Sequence, residues 1–162
     1  MIVPDHCLDL AGDIIAGCTA KGLTLATAES CTGGLISACL TEIPGSSAVV
    51  DRGFVVYSNQ AKQDLLGVSA DLLERYGAVS EQVARAMARG ARERAAVDIA
   101  VAVTGVAGPG GGTATKPVGL VHMALGAATR TRHVDRVFPG DRRAVRAATL
   151  AMVLQLIVEE LA

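Results

Sequence analysis

The chain has 162 residues, enough for one domain with a sizeable core, and 51% of them are hydrophobic. With two Phe, two Tyr and no Trp, that core is built from Ala, Val, Leu and Ile. A formal net charge of −1 argues against the basic face that nucleic-acid binding needs. No basic leader followed by an apolar stretch occurs, and no apolar span reaches the roughly 18 residues a membrane helix needs. A cytoplasmic protein without membrane or nucleic-acid partners is the expectation.

In chain order, residues 5–21 carry Leu8, Leu10, Ile14 and Ile15 at helical spacing and close at Gly22. Residues 23–28 form an apolar first strand that stops at Glu29-Ser30-Cys31-Thr32-Gly33-Gly34. That hexapeptide reads as a tight turn carrying hydroxyls and a carboxylate. A short apolar helix follows from Gly34 to Thr41, halted by Ile43-Pro44-Gly45. Val49 to Tyr57 is β-rich, although Asp51-Arg52-Gly53 interrupts it. Ser58-Asn59 caps a helix over Gln60–Leu66, Ser69–Tyr76 gives another, and Ser80 opens a third running through Arg94.

Asp98 to Thr104 is a continuous apolar run, the pattern of a strand buried on both faces. A glycine-rich loop, Gly105–Gly112, comes next. Val118–Ala127 and Thr131–Phe138 then read as a hairpin, and Asp141 caps a last Ala-rich helix ending near Glu160. Early alternation of strands and helices with a late hairpin implies an α/β fold: a mixed sheet with helices on both faces, in one domain spanning 1–162. The apolar last helix also makes a homo-oligomer the expected assembly.

The four cysteines, Cys7, Cys18, Cys31 and Cys39, form no C-x-x-C pair. His6, His122 and His133 sit in no metal-ligand spacing, so reduced buried thiols and no metal are expected. Most of Arg130, Arg132, Arg136, Arg142, Arg143 and Arg146 read as a solvated face broken by Asp135 and Asp141.

Several places carry chemistry. Ser30 is either a nucleophile at a strand-to-helix turn or a helix N-cap. The surroundings are not G-x-S-x-G, and no histidine stands where a Ser-His-Asp triad would need one. Lys62 lies about one turn into the helix that follows a second polar strand end, Tyr57-Ser58-Asn59, and could reach Ser30 as a base once desolvated; otherwise it is a surface lysine. Tyr57 could relay a proton or bond a substrate. The Thr104–Gly112 loop, with Gly105 and Gly108, is neither a Walker loop nor a dinucleotide fingerprint, and shapes a ligand pocket or is a plain connector. Arg142, at the start of the last helix, could clamp a phosphate or carboxylate, or lie in solvent. Ser46-Ser47 is a further hydroxyl pair in a turn.

Taken in order, T-A-E-S-C-T-G-G (27–34), P-G-S-S-A (44–48), R-G-F-V-V-Y-S-N-x-x-K (52–62), G-A-V-S-E (77–81), T-G-V-A-G-P-G-G-G (104–112), K-P-V-G (116–119) and G-D-R (140–142) resemble the CinA C-terminal-domain family, the nicotinamide-nucleotide amidases. The resemblance runs from about residue 5 to the C-terminus. It implies an α/β amidohydrolase that converts nicotinamide mononucleotide to nicotinic acid mononucleotide and ammonia in pyridine-nucleotide recycling. It further implies a Ser/Lys pair acting without metal or cofactor. Carried onto this chain, the nucleophile is Ser30 and the base Lys62, with Tyr57 beside them and Ser47 as the alternative nucleophile. Amides from Thr32 to Gly34 would hold the oxyanion, the 104–112 loop would shape the pocket, and Arg142 would meet the phosphate. Many relatives carry an extra N-terminal domain, and this chain is expected to be the stand-alone form. The competing readings are a non-catalytic nucleotide-binding module and a competence-associated partner domain.

Overall fold

The computed structural model describes residues 3–162. Its elements, in order, are α1 (Asp5–Lys21), β1 (Leu25–Glu29), α2 (Leu35–Thr41), β2 (Val50–Val55), α3 (Asn59–Leu66), α4 (Ala70–Tyr76), α5 (Glu81–Ala95), β3 (Ile99–Gly105), β4 (Leu120–Gly126), β5 (Thr131–Val137) and α6 (Arg142–Leu161). The five strands form one sheet in the order β2-β1-β3-β4-β5. The first three are mutually parallel; β4 and β5 continue the sheet as an antiparallel hairpin.

The chain leaves β1 in one direction to make β2, then crosses back past β1 to make β3. Right-handed crossovers in opposite directions send their helices to opposite faces. Two separate cores result. On one face Leu25, Ile99, Val101, Val103, Met123 and Leu125 meet buried residues of α1, α2 and α6. On the other, the alternate strand positions Ala26, Ala28, Ala100, Ala102 and Ala124 meet α5.

Small strand residues let α5 lie close, and α5 answers with Ala84, Ala88, Gly90 and Ala91, all buried. Gly90 has a steric reason: a Cβ there would fall 2.0 Å from the Leu66 carbonyl oxygen. The apolarity of α6 is spent inside the molecule, where Val145, Leu150, Val153, Leu154, Leu156 and Ile157 pack into the first core. Among the described residues no helix is long and apolar enough to cross a membrane.

The first strand differs from the sequence expectation at its end. Glu29 is its last residue, not part of the turn, and it is fully buried. Its carboxylate accepts from the Ile36 and Ser37 amides at 2.9 and 3.0 Å, and from the Thr32 and Thr27 hydroxyls at 2.8 and 3.2 Å. A carboxylate on the first turn of α2 satisfies donors that the helix itself leaves open. Glu29 therefore does the capping that one reading had assigned to Ser30.

Candidate active site

Alternation along β1 aims Glu29 at α2 and the next residue, Ser30, at the opposite face, where α3 lies. The Ser30 amide donates to the Val103 carbonyl at 3.0 Å, which pins the turn to β3. Across the gap, Ser58 caps α3 by accepting from the Ala61 amide at 3.0 Å, which fixes where the fourth helical residue, Lys62, points. Lys62 is 1% exposed, so the surface-lysine reading fails. Its Nζ lies 3.1 Å from Ser30 Oγ, 3.0 Å from the Val56 carbonyl and 3.2 Å from the Tyr57 carbonyl.

Among the described residues no carboxylate pairs with this amine; its partners are one hydroxyl and two carbonyls. Burial pushes the Lys62 pKa below the ordinary lysine value, with the Cys31 thiol pulling weakly the other way. A neutral amine has two N–H donors and one lone pair. In that neutral form Lys62 can donate to the two carbonyls and offer its lone pair to the Ser30 hydroxyl. Cys31, the neighbour of Ser30, is pushed up to about 11 by burial and stays a thiol.

Ser30 and Lys62 open onto a cavity of about 300 Å³ that is also lined by Tyr57, Thr104, Gly105, Gly108 and Arg142. It lies where the loops after β1 and β3 diverge, the switch point at which open α/β sheets bind ligands. Arg142 closes one side. Its guanidinium donates to the Gly108 carbonyl at 2.9 Å and to the Tyr57 hydroxyl at 3.0 Å. The Tyr57 hydroxyl is thus tied to Arg142, while its backbone carbonyl faces Lys62. The Thr104 hydroxyl donates to the Ala78 carbonyl at 2.8 Å and holds the wall formed by Ala78 and Val79. A second cavity, about 740 Å³, adjoins on the far side of Arg142 and is bordered by Arg143, Arg146, Pro109 and Val118.

Not every expected residue joins this group. Thr32 is buried, its hydroxyl committed to Glu29 and its carbonyl accepting from Arg146 at 3.0 Å. Gly33 and Gly34 have φ of +57° and +100°, which explains why glycine is needed there, but neither lines the cavity. The Gly33 amide donates to the Ser30 carbonyl at 3.1 Å and so is engaged within the turn. Ser47 is exposed, in a 3₁₀ turn before β2. Because Val50 pairs with Leu25, that turn sits at the far end of β1 from Ser30, about 13 Å along the strand.

Residues that sequence reasoning passed over also appear. Cys31, Asn59 and Val79 line the cavity, and each lay inside a quoted motif. Arg146 braces the Ser30 turn from α6. Arg130 and Arg136 lie in solvent while Arg132 is half-buried; Arg130 pairs with Glu160 and Arg132 with Glu159.

The family model described as the CinA C-terminal domain matches residues 8–161. The chain is 51% identical over 153 residues to the nicotinamide-nucleotide amidohydrolase PncC of Enterobacter agglomerans, covering 94% of this chain and 93% of that protein. It is 54% identical over 149 residues to a CinA-like protein of Geotalea daltonii, covering 91% of this chain and 36% of that one. It thus spans about a third of several curated relatives and nearly all of another. The crystal structure of the competence/damage inducible protein CihA from Agrobacterium tumefaciens superposes with a TM-score of 0.94 at 52% identity, covering 97% of this chain and 96% of that one.

Proposed function

Because the chain belongs to the CinA C-terminal domain family, and because its cavity sets a buried amine against a strand-end serine, we propose that it hydrolyses the carboxamide of nicotinamide mononucleotide to nicotinic acid mononucleotide and ammonia. The observation that carries the reading is the Lys62–Ser30 contact at 3.1 Å, with the Val56 and Tyr57 carbonyls as the amine's other two partners. Neutral Lys62 takes the Ser30 proton as Oγ bonds to the carboxamide carbon. The C–N bond breaks, and the Lys62 ammonium returns the proton to the departing ammonia. Water then attacks the acyl-serine with Lys62 again as base, releasing the acid and restoring Ser30.

The oxyanion falls to the turn amide next to the nucleophile, that of Cys31, since Gly33 is engaged elsewhere. The nucleotide phosphate meets Arg142, whose fork already faces the cavity from the N-terminus of α6. Tyr57, whose hydroxyl accepts from Arg142 beside the cavity, positions that guanidinium. No metal takes part in these steps.

Ammonia release from nicotinamide mononucleotide tests the proposal. The wild type should release it in EDTA, and Ser30→Ala should lose at least about a thousandfold in kcat/KM while remaining folded. Well-folded wild type that binds the nucleotide without releasing ammonia would overturn it in favour of a binding module. Release surviving in Ser30→Ala would remove Ser30 as the nucleophile.

A further inference from the structure

The Ser30 cavity does not end at Arg142. Arg142 and Ala107 line both this cavity and the larger one beside it, so the two spaces share a wall. At about 300 Å³ the first stands at the lower end of the roughly 300–1,000 Å³ that small-molecule sites occupy. The second, about 740 Å³, has room for the part of a nucleotide that does not react.

One side of the second cavity is cationic. Arg142, Arg143 and Arg146 come from the first two turns of α6, with Arg142 and Arg146 one helical turn apart on the same face. Asp141 is the acid that borders the cavity, and its Oδ1 accepts from the Ala144 amide at 2.9 Å. Arg130 and Arg132 pair with glutamates, whereas among the described residues none of these three has an acidic partner. Three guanidiniums against one carboxylate leave a surplus of two positive charges. Pro109 and Val118 give the same cavity an apolar side.

The three arginines differ in what the protein asks of them. Arg142 donates to the Gly108 carbonyl and the Tyr57 hydroxyl. Arg146 is half-buried, and its Nη2 donates to the Thr32 carbonyl at 3.0 Å. Its Nε is shut off from solvent and has no partner among the described residues. A guanidinium drawn out of bulk water with a donor unsatisfied carries charge that the protein itself does not balance. Arg143 is exposed and borders the same cavity.

We propose that the second cavity is the phosphate subsite of the substrate, in which Arg143 and Arg146 join Arg142 on the nucleotide's phosphate and set the preference for a nucleotide over the nucleoside that lacks it. The inference rests on the amidase reading of the Ser30 site. A phosphate monoester carries nearly two negative charges at neutral pH, the complement of the surplus on this wall. Guanidinium forks suit its oxygens, while the apolar side can lie against the sugar. Arg146 also holds the Thr32 carbonyl, two residues past Ser30. Phosphate gripped by Arg146 therefore steadies the nucleophile's turn, and part of its binding energy appears in kcat.

The test compares ammonia release from nicotinamide mononucleotide with release from nicotinamide riboside, which has the same amide and no phosphate. Wild type should favour the nucleotide in kcat/KM by at least about a hundredfold. Arg143→Ala and Arg146→Ala should each cut that preference by at least about tenfold. A merely structural role would slow both substrates alike and leave the ratio where it was. Calorimetric titration with inorganic phosphate should show one site per chain, weakened in both variants. An unchanged ratio in both variants, or phosphate bound by both as tightly as by wild type, would overturn the subsite. Wild type that hydrolyses neither substrate would overturn the amidase reading instead, and the phosphate titration would still decide the subsite.

Discussion

At the scale of the residue, the chemistry rests on how Lys62 is desolvated. Burial holds its pKa below that of an exposed lysine, so the neutral base is populated at lower pH. Turnover should therefore rise with pH through that lowered pKa and fail below it. The same shift bears on stability. The unfolded chain, with an ordinary lysine, binds the proton more tightly than the native state does. The stability cost is therefore full below the native pKa and disappears as pH rises past the unfolded one. Arg142 acts differently, since it binds without reacting. Arg142→Ala should raise KM for nicotinamide mononucleotide by about 10- to 100-fold with a smaller change in kcat, read from steady-state kinetics. An unchanged KM would remove Arg142 from the phosphate. Both residues were visible in the sequence, Lys62 one turn into its helix and Arg142 at the head of another. Their burial and contacts were not, because those depend on which strand ends become neighbours.

At the scale of the element, the turn after β1 is held by a buried carboxylate. Four donors converge on Glu29, two of them the Ile36 and Ser37 amides of α2. Glu29→Ala would orphan buried donors, at about 1–3 kcal/mol for each left unpaired. Urea unfolding should show a clear fall in midpoint, and an unchanged midpoint would mean that α2 does not depend on this cap. The sequence pattern placed the strand's end one residue early because a charged side chain reads as surface. Only the position of α2 reveals that this carboxylate has its partners inside. Local signals elsewhere were strong: Ser58, Ser69, Ser80 and Asp141 each cap a helix through a side-chain oxygen, as expected from residue type. His122 and His133 are the opposite case. Eleven residues apart, they match no ligand spacing, yet the hairpin register brings their nitrogens to 2.9 Å.

At the scale of the whole molecule, the strand order decides where chemistry can occur. Placing β1 between β2 and β3 makes the loops after β1 and β3 diverge, and Ser30 and the glycine-rich loop meet there. Alternation of strands and helices made the fold class legible. The family resemblance made Ser47 a rival to Ser30; the parallel register puts the two turns at opposite ends of β1. The apolar last helix suggested self-association; in the fold its buried side chains serve the core against α1. The most direct test of the Ser30–Lys62 account is ammonia release from nicotinamide mononucleotide by wild type and Lys62→Met across pH. The account predicts a wild-type rate that rises with pH through one basic group, and a folded Lys62→Met protein slower by at least about a thousandfold throughout. Substantial release by folded Lys62→Met at neutral pH would contradict it.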